Sequence, residues 1–173
     1  IPSGGTVSLG QLSGATGTVK NDIAGSVFTV SVGALNTNAT FGGTITDKTG
    51  DATSKTALTK VGTGSLLLTG TTTYTGPTVV NAGTLQLPVT TATLPAITES
   101  CTVANGATLA IAGVANGIWE TKNLVLGSGG ATTVSLLSVA GGATRGRIGA
   151  TETLAVNGPV TLKLTGVFPE SIF

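Results

Sequence analysis

Histidine and methionine are absent from this 173-residue chain, cysteine, tryptophan and tyrosine occur once each, and only 9% of residues are charged. Without histidine there is no Ser-His-Asp triad, no Cys-His dyad and no histidine metal site. The lone Cys101 excludes an intrachain disulfide, and with it a small module stapled by bridges. Its expected place is that of a small buried hydrophobe. Aromatics make up 3% of the chain. Most globular cores draw much of their buried area from Phe, Trp and Tyr, so this interior has to be filled by smaller aliphatic side chains, which favours a narrow solenoid over a β-sandwich. No run of 18 or more apolar residues is present to cross a membrane as a helix. With formal net charge +1 and basic residues scattered nearly singly, no field forms that would hold nucleic acid or an anionic membrane.

Threonine and glycine take up the room: 34 and 27 residues respectively, in a chain that is still 40% hydrophobic. Threonine fits a pleated surface and turns a hydroxyl to water, so it replaces charge as the source of polarity. Glycines at short intervals break any helix and punctuate short strands. The composition predicts an all-β chain rich in turns, long enough for one domain.

The densest pattern runs from Leu58 to Leu87, LTKVGTGSLLLTGTTTYTGPTVVNAGTLQL. Strand-like runs at Ser65 to Thr69, Thr78 to Val80 and Thr84 to Leu87 alternate with turn signals. Lys60, Gly62 and Gly64 precede a leucine-rich strand with Leu66 and Leu68. Tyr74-Thr75-Gly76, Thr78, Val80, the corner Asn81-Ala82-Gly83 and Thr84-Leu85 follow. This stretch resembles the passenger-associated strand repeat of bacterial autotransporters. Pro77 departs from that pattern, and a residue without a ladder donor belongs at a corner or the start of a strand. The resemblance implies a right-handed parallel β-helix, exported to or beyond the bacterial outer surface, and it implies no particular ligand. The chain is expected to be a segment of a longer protein, with any membrane barrel lying elsewhere.

Weaker restatements follow. Residues 100–112 repeat the glycine corner and the threonine-leucine step, with Leu109 lying 24 residues after Leu85, a suitable length for one coil. Asn123 to Gly127 and Thr153 to Gly158 read as further echoes, and Pro88 to Pro95 as a linker between rungs. A uniform coil of about 25 residues predicts roughly seven coils and a rod some 30 to 35 Å long at about 4.8 Å per coil. Ser26 to Val32 is the clearest strand before the repeat. The polar segment Asp47 to Lys55 reads as an exposed loop.

Few residues stand out as functional. Asn81, Asn105, Asn116 and Asn157 precede glycines and are expected to take corner positions with positive φ, which asparagine tolerates. Gly76, Gly83 and Gly106 are the matching turn glycines. Trp119, in a short stretch that also holds Glu120 and Lys122, is expected first to pack and close an irregular coil, and the pair Arg145 and Arg147 to form a solvated turn; the alternative is that they make a contact surface for a glycan, a host or matrix surface, or a neighbouring copy. The seven carboxylates lie in separate turns and form no pair suited to glycoside cleavage. No metal, cofactor or catalytic residue is expected. The sequence predicts a structural or adhesive segment that forms a rod, spacer or fibre subunit and associates end to end or side by side. The alternatives are a carbohydrate-binding or polysaccharide-cleaving β-helix and a β-sandwich binding module.

Overall fold

The computed structural model describes residues 4–88, 98–113, 118–138 and 147–165. Within them the chain forms fifteen short strands and no helix, as glycine punctuation and β-branched runs dictate. Two long parallel sheets form the walls of a β-solenoid. The first holds, in order, β1 (Thr6–Leu9), β3 (Val27–Val32), β6 (Lys55–Lys60), β8 (Thr78–Val80), β10 (Thr98–Val103), β12 (Trp119–Leu126) and β14 (Ile148–Val156). The second holds β4 (Ala39–Phe41), β7 (Ser65–Leu68), β9 (Thr84–Pro88), β11 (Thr108–Gly113), β13 (Thr132–Ser138) and β15 (Val160–Thr165). A third, short wall pairs β2 (Thr18–Lys20) with β5 (Thr44–Thr46) and is extended by a bridge from Ile45 to Thr72.

Every ladder is parallel, so each strand stands over the one a coil earlier and like positions stack in columns. In the first sheet Val30, Leu58, Thr78, Cys101 and Leu124 make one inward column, and Val32, Lys60, Val80, Val103 and Leu126 another. Leu66, Leu85, Leu109 and Val134 face them from the second sheet. All of these are buried, and each leucine so placed contributes about 1.5 to 3 kcal/mol. No large aromatic core is needed, because the walls are close enough for aliphatic side chains to meet.

Leu109 pairs directly with Leu85, so the 24-residue spacing is one coil. The echoes at Asn123 and Thr153 pair with each other, but in the first sheet rather than the second. The corner, threonine and leucine pattern therefore recurs at both walls. Pro77 immediately precedes β8, and its carbonyl accepts from Leu58 N at 3.0 Å. Of the proposed linker, Pro88 closes β9 and the rest lies outside the described residues.

The coil count is lower than roughly seven. The six strands of the second sheet bound five intervals, so about five turns are closed by both walls. Coil length is not uniform: Leu58 to its partner Thr78 spans 20 residues, whereas Leu124 to Leu154 spans 30. At the end of the stack the inward positions Leu154, Val156, Leu162 and Leu164 are 52 to 59% exposed, since no described strand follows β14 and β15 in the sheets.

Candidate functional site

The coils turn at two long edges of the first sheet. Asp22, Asp47, Lys48, Asp51 and Arg147 lie in the turns that enter this sheet, Lys55, Glu99 and Glu120 at the entering ends of its strands, Lys20 at the end of β2 just before such a turn, and Lys122 and Glu152 midway along β12 and β14. Among the described charged residues only Lys60 and Lys163 lie elsewhere. Carboxylates distant in the sequence are thus aligned along one edge. They flank a groove of about 630 Å³ lined by Asp47, Asp51, Lys48, Lys55, Glu99 and Lys122, among others.

Asp22, Asp47, Asp51, Glu99 and Glu152 on this edge all have partners. Asp47 Oδ1 accepts from Thr56 N at 2.7 Å, and its Oδ2 accepts from Thr75 N at 2.9 Å and Thr75 Oγ1 at 2.6 Å. One carboxylate therefore ties its own turn to the next coil. Asp51 accepts from Thr53 N and Oγ1, Ser54 Oγ and Gly25 N. These bonds, first the one from Ser54, hold its pKa well below the usual carboxylate range. Beneath them Asn21, buried, donates to Ser26 O at 2.8 Å and Lys55 O at 3.2 Å and accepts from Ile23 N at 2.9 Å. Lys55 pairs with Glu99, Lys20 with Asp22 at 3.0 Å, and Lys122 lies 3.9 Å from Glu152. The segment Asp47 to Lys55 is an exposed loop as expected, anchored by these bonds and by the buried Ser54.

The opposite edge, where the chain leaves the first sheet, carries no exposed charge among the described residues. Here the turns nest backbone on backbone. A Cβ on Gly62 would stand 2.0 Å from Gly33 O, and Gly62 also holds φ +71°. Both facts demand glycine. Gly83 is fixed by a similar close approach to Gly64 O, and on the entering edge Gly76 is fixed in the same way against Thr56 O. Lys60, on an inward column and only 1% exposed, sends its ammonium to this edge. Its Nζ donates to Val61 O at 2.7 Å, Gly62 O at 2.8 Å and Ala82 O at 3.3 Å, spanning two coils. Burial pulls its pKa below the ordinary lysine value. The lysine and spaced glycines of the repeat are thus parts of one corner. The sequence signal for this role was present in the alternation: Leu58 and Lys60 both point inward.

The asparagine corners require a correction. Asn36, at φ 59°, is the non-glycine residue with positive φ among those described, whereas Asn81, Asn105 and Asn157 take ordinary φ and the following Gly83 and Gly106 make the left-handed step. Asn105 acts through its side chain: Oδ1 accepts from Ser128 N at 2.9 Å and Gly130 N at 3.1 Å, and Nδ2 donates to Ser128 Oγ at 3.1 Å. Asn36 and Asn38 likewise accept from Thr63 N and Ser65 N one coil on. Asn116 lies outside the described residues.

Trp119 packs, and does not form a contact surface. It is 3% exposed and packs in the core at the start of β12, its N donating to Arg147 O at 2.9 Å. The coil that bears it is irregular, with a register shift between Thr121 and Asn123, and the indole fills that space instead of meeting solvent. Arg147 is exposed, and Arg145 lies outside the described residues. Tyr74 is buried with its hydroxyl 2.8 Å from Thr78 Oγ1, and desolvation raises its pKa. Burial likewise pushes the Cys101 thiol up to about 12, which leaves it unreactive.

Residues 58–87 match the family model described as passenger-associated-transport-repeat, a repeat of autotransporter passengers. The match takes in Lys60, the nested glycines, Tyr74 and the corner at Gly83. No curated protein and no solved structure matches the chain.

Proposed function

We propose that the chain is a structural segment of an exported bacterial surface protein, a rod or spacer that also serves adhesion or fibre and layer assembly, and that it carries out no catalysis. The observation that carries this reading is the pair of unbroken parallel ladders, seven and six strands long, whose turns consume the polar side chains in holding coil to coil. Asp47 and Asp51, two of the acids that line the charged groove, accept hydrogen bonds from backbone and hydroxyl donors, which supports a corner role over acid–base chemistry. The passenger repeat supports export, and a threonine-rich outer face supports solubility at a formal net charge of only +1.

End-to-end association has a physical basis in the last coil. Leu154, Val156, Leu162 and Leu164 continue the inward columns and remain exposed, and among the described residues β14 and β15 have no further ladder partner, which supports association with the strands of another copy. Negative-stain electron microscopy over a concentration series tests this. Regular filaments that lengthen with concentration are expected, and isolated short particles at every concentration would contradict the assembly role. Release of reducing ends from a polysaccharide would overturn the non-catalytic reading.

A further inference from the structure

Asparagine followed by glycine is chemically labile, because a glycine nitrogen meets no side-chain obstruction when it attacks the preceding carboxamide. In that reaction Gly N bonds to Asn Cγ, ammonia leaves carrying the side-chain nitrogen, and water then opens the succinimide at either carbonyl to give aspartate or isoaspartate. Two described dipeptides have this sequence, Asn105-Gly106 and Asn157-Gly158, and both occupy the glycine edge. Their surroundings differ.

At the first, the carboxamide is held against the next coil. Its Oδ1 takes the two N–H groups of Ser128 and Gly130, and its Nδ2 reaches Ser128 Oγ. The side chain also lies on Gly130, where an added Cβ would stand 2.8 Å from Asn105 Cγ. The attacking nitrogen is engaged too, since Gly106 N donates to Ala131 O at 2.6 Å. Two N–H donors on a carbonyl oxygen would assist attack if the nucleophile reached the carbon. Here the nitrogen's own proton is bound to the neighbouring coil, so the corner must open before the ring can close. At the second dipeptide, Asn157 is exposed and its carboxamide has no hydrogen-bond partner among the described residues. Gly158 N likewise donates to none, while Asn157 N is anchored to Leu126 O at 2.9 Å.

We propose that Asn157 is a site of spontaneous deamidation, and that Asn105 is kept intact by the bonds its carboxamide makes to the following coil. The product matters at this edge. Deamidation of Asn157 places a carboxylate among corners that otherwise expose no charge, and the formal net charge falls by one from +1. An isoaspartyl linkage also adds a methylene to the backbone of the corner that leads into β15.

The test is peptide mapping by mass spectrometry of the full chain held in mildly alkaline buffer, with isoaspartate scored by enzymatic methylation. Asn157 is expected to convert at the rate of a short unstructured Asn-Gly-Pro peptide, and Asn105 at least about tenfold more slowly, because corner bonds must break first. In denaturing urea the two rates should converge. Ser128→Ala, which removes the hydroxyl that accepts from Asn105 Nδ2, should accelerate Asn105 and leave Asn157 unchanged. Equal rates in the folded chain, or an Asn157 that stays intact while Asn105 converts, would overturn the proposal.

Discussion

The two edges of the first sheet face the same problem and meet it in opposite ways. At each, the backbone leaves one wall for another and must still satisfy its N–H and C=O groups. The glycine edge removes side chains until successive turns touch, with Gly62 against Gly33 and Gly83 against Gly64, and then places one ammonium among the converging carbonyls. The charged edge adds side chains instead, and Asn21, Asp47, Asp51 and Ser54 supply the partners that the neighbouring coil lacks. Compactness is thus fixed by sterics on one side and by hydrogen bonding on the other. The charges that look like a binding surface are first of all the mortar of a corner.

Substitution of Gly62 should have the largest effect on this contrast. Gly62→Ala forces a Cβ into Gly33 O and strains a positive φ, and is expected to cost about 3 kcal/mol or more. Gly106→Ala has the same sign of φ but nothing within 4 Å of the new Cβ, so its cost should stay near 1 to 2 kcal/mol, roughly that of the left-handed conformation alone. Urea unfolding midpoints measure both, and equal costs would mean that nesting does not govern the edge. Asp47→Ala comes next. It strands the N–H groups of Thr56 and Thr75, for a loss of about 2 to 3 kcal/mol, and Asp47→Asn should recover part of it by restoring one acceptor. Lys60→Met keeps the inward column filled and removes only the donor to three carbonyls. A loss of about 1 to 2 kcal/mol is expected, seen as a lower urea midpoint with an unchanged slope, and a stabilised variant would show that the buried charge costs more than its bonds return.

Acid should distinguish the edges with the smallest effect. Asp51 has a folded-state pKa depressed below 3.8, so its contribution is present above that value and is lost as pH falls through the lower folded one. The glycine edge has no carboxylate among the described residues. Asp51→Asn should therefore flatten the acid limb of a stability-against-pH curve, and an unchanged limb would show that the Asp51 bonds contribute nothing to the corner.

Much of the fold was legible in the sequence. The spacing from Leu85 to Leu109 is a true coil, and the corner at Asn81 to Gly83, the placement of Pro77 and the matched repeat all survive in the structure. Coil number was not, because coils of 20 and of 30 residues both occur, and the 24- and 25-residue coils from Leu85 to Leu109 and from Leu109 to Val134 do not set the length of the rest. The charged edge was hidden for the same reason. Asp22, Asp47, Glu99 and Lys122 look scattered until the coil lengths that align them are known. Lys60 was legible as an inward position but not as a donor, since its acceptors are backbone carbonyls, one of them 22 residues away. Trp119 was open to two readings, because an indole that fills an irregular coil has the same sequence context as one presented to solvent.

The central claim is the one-coil parallel register, and distance measurement by pulsed electron paramagnetic resonance tests it most directly. Spin labels replacing Thr84, Thr108, Thr133 and Thr161, which succeed one another in register on the second sheet, are to be paired with a label at Ser65, the partner of Thr84. The account predicts distances that grow by about 4.8 Å with each added coil. Distances that alternate or fail to rise with coil number would contradict the solenoid and return the chain to an antiparallel sandwich.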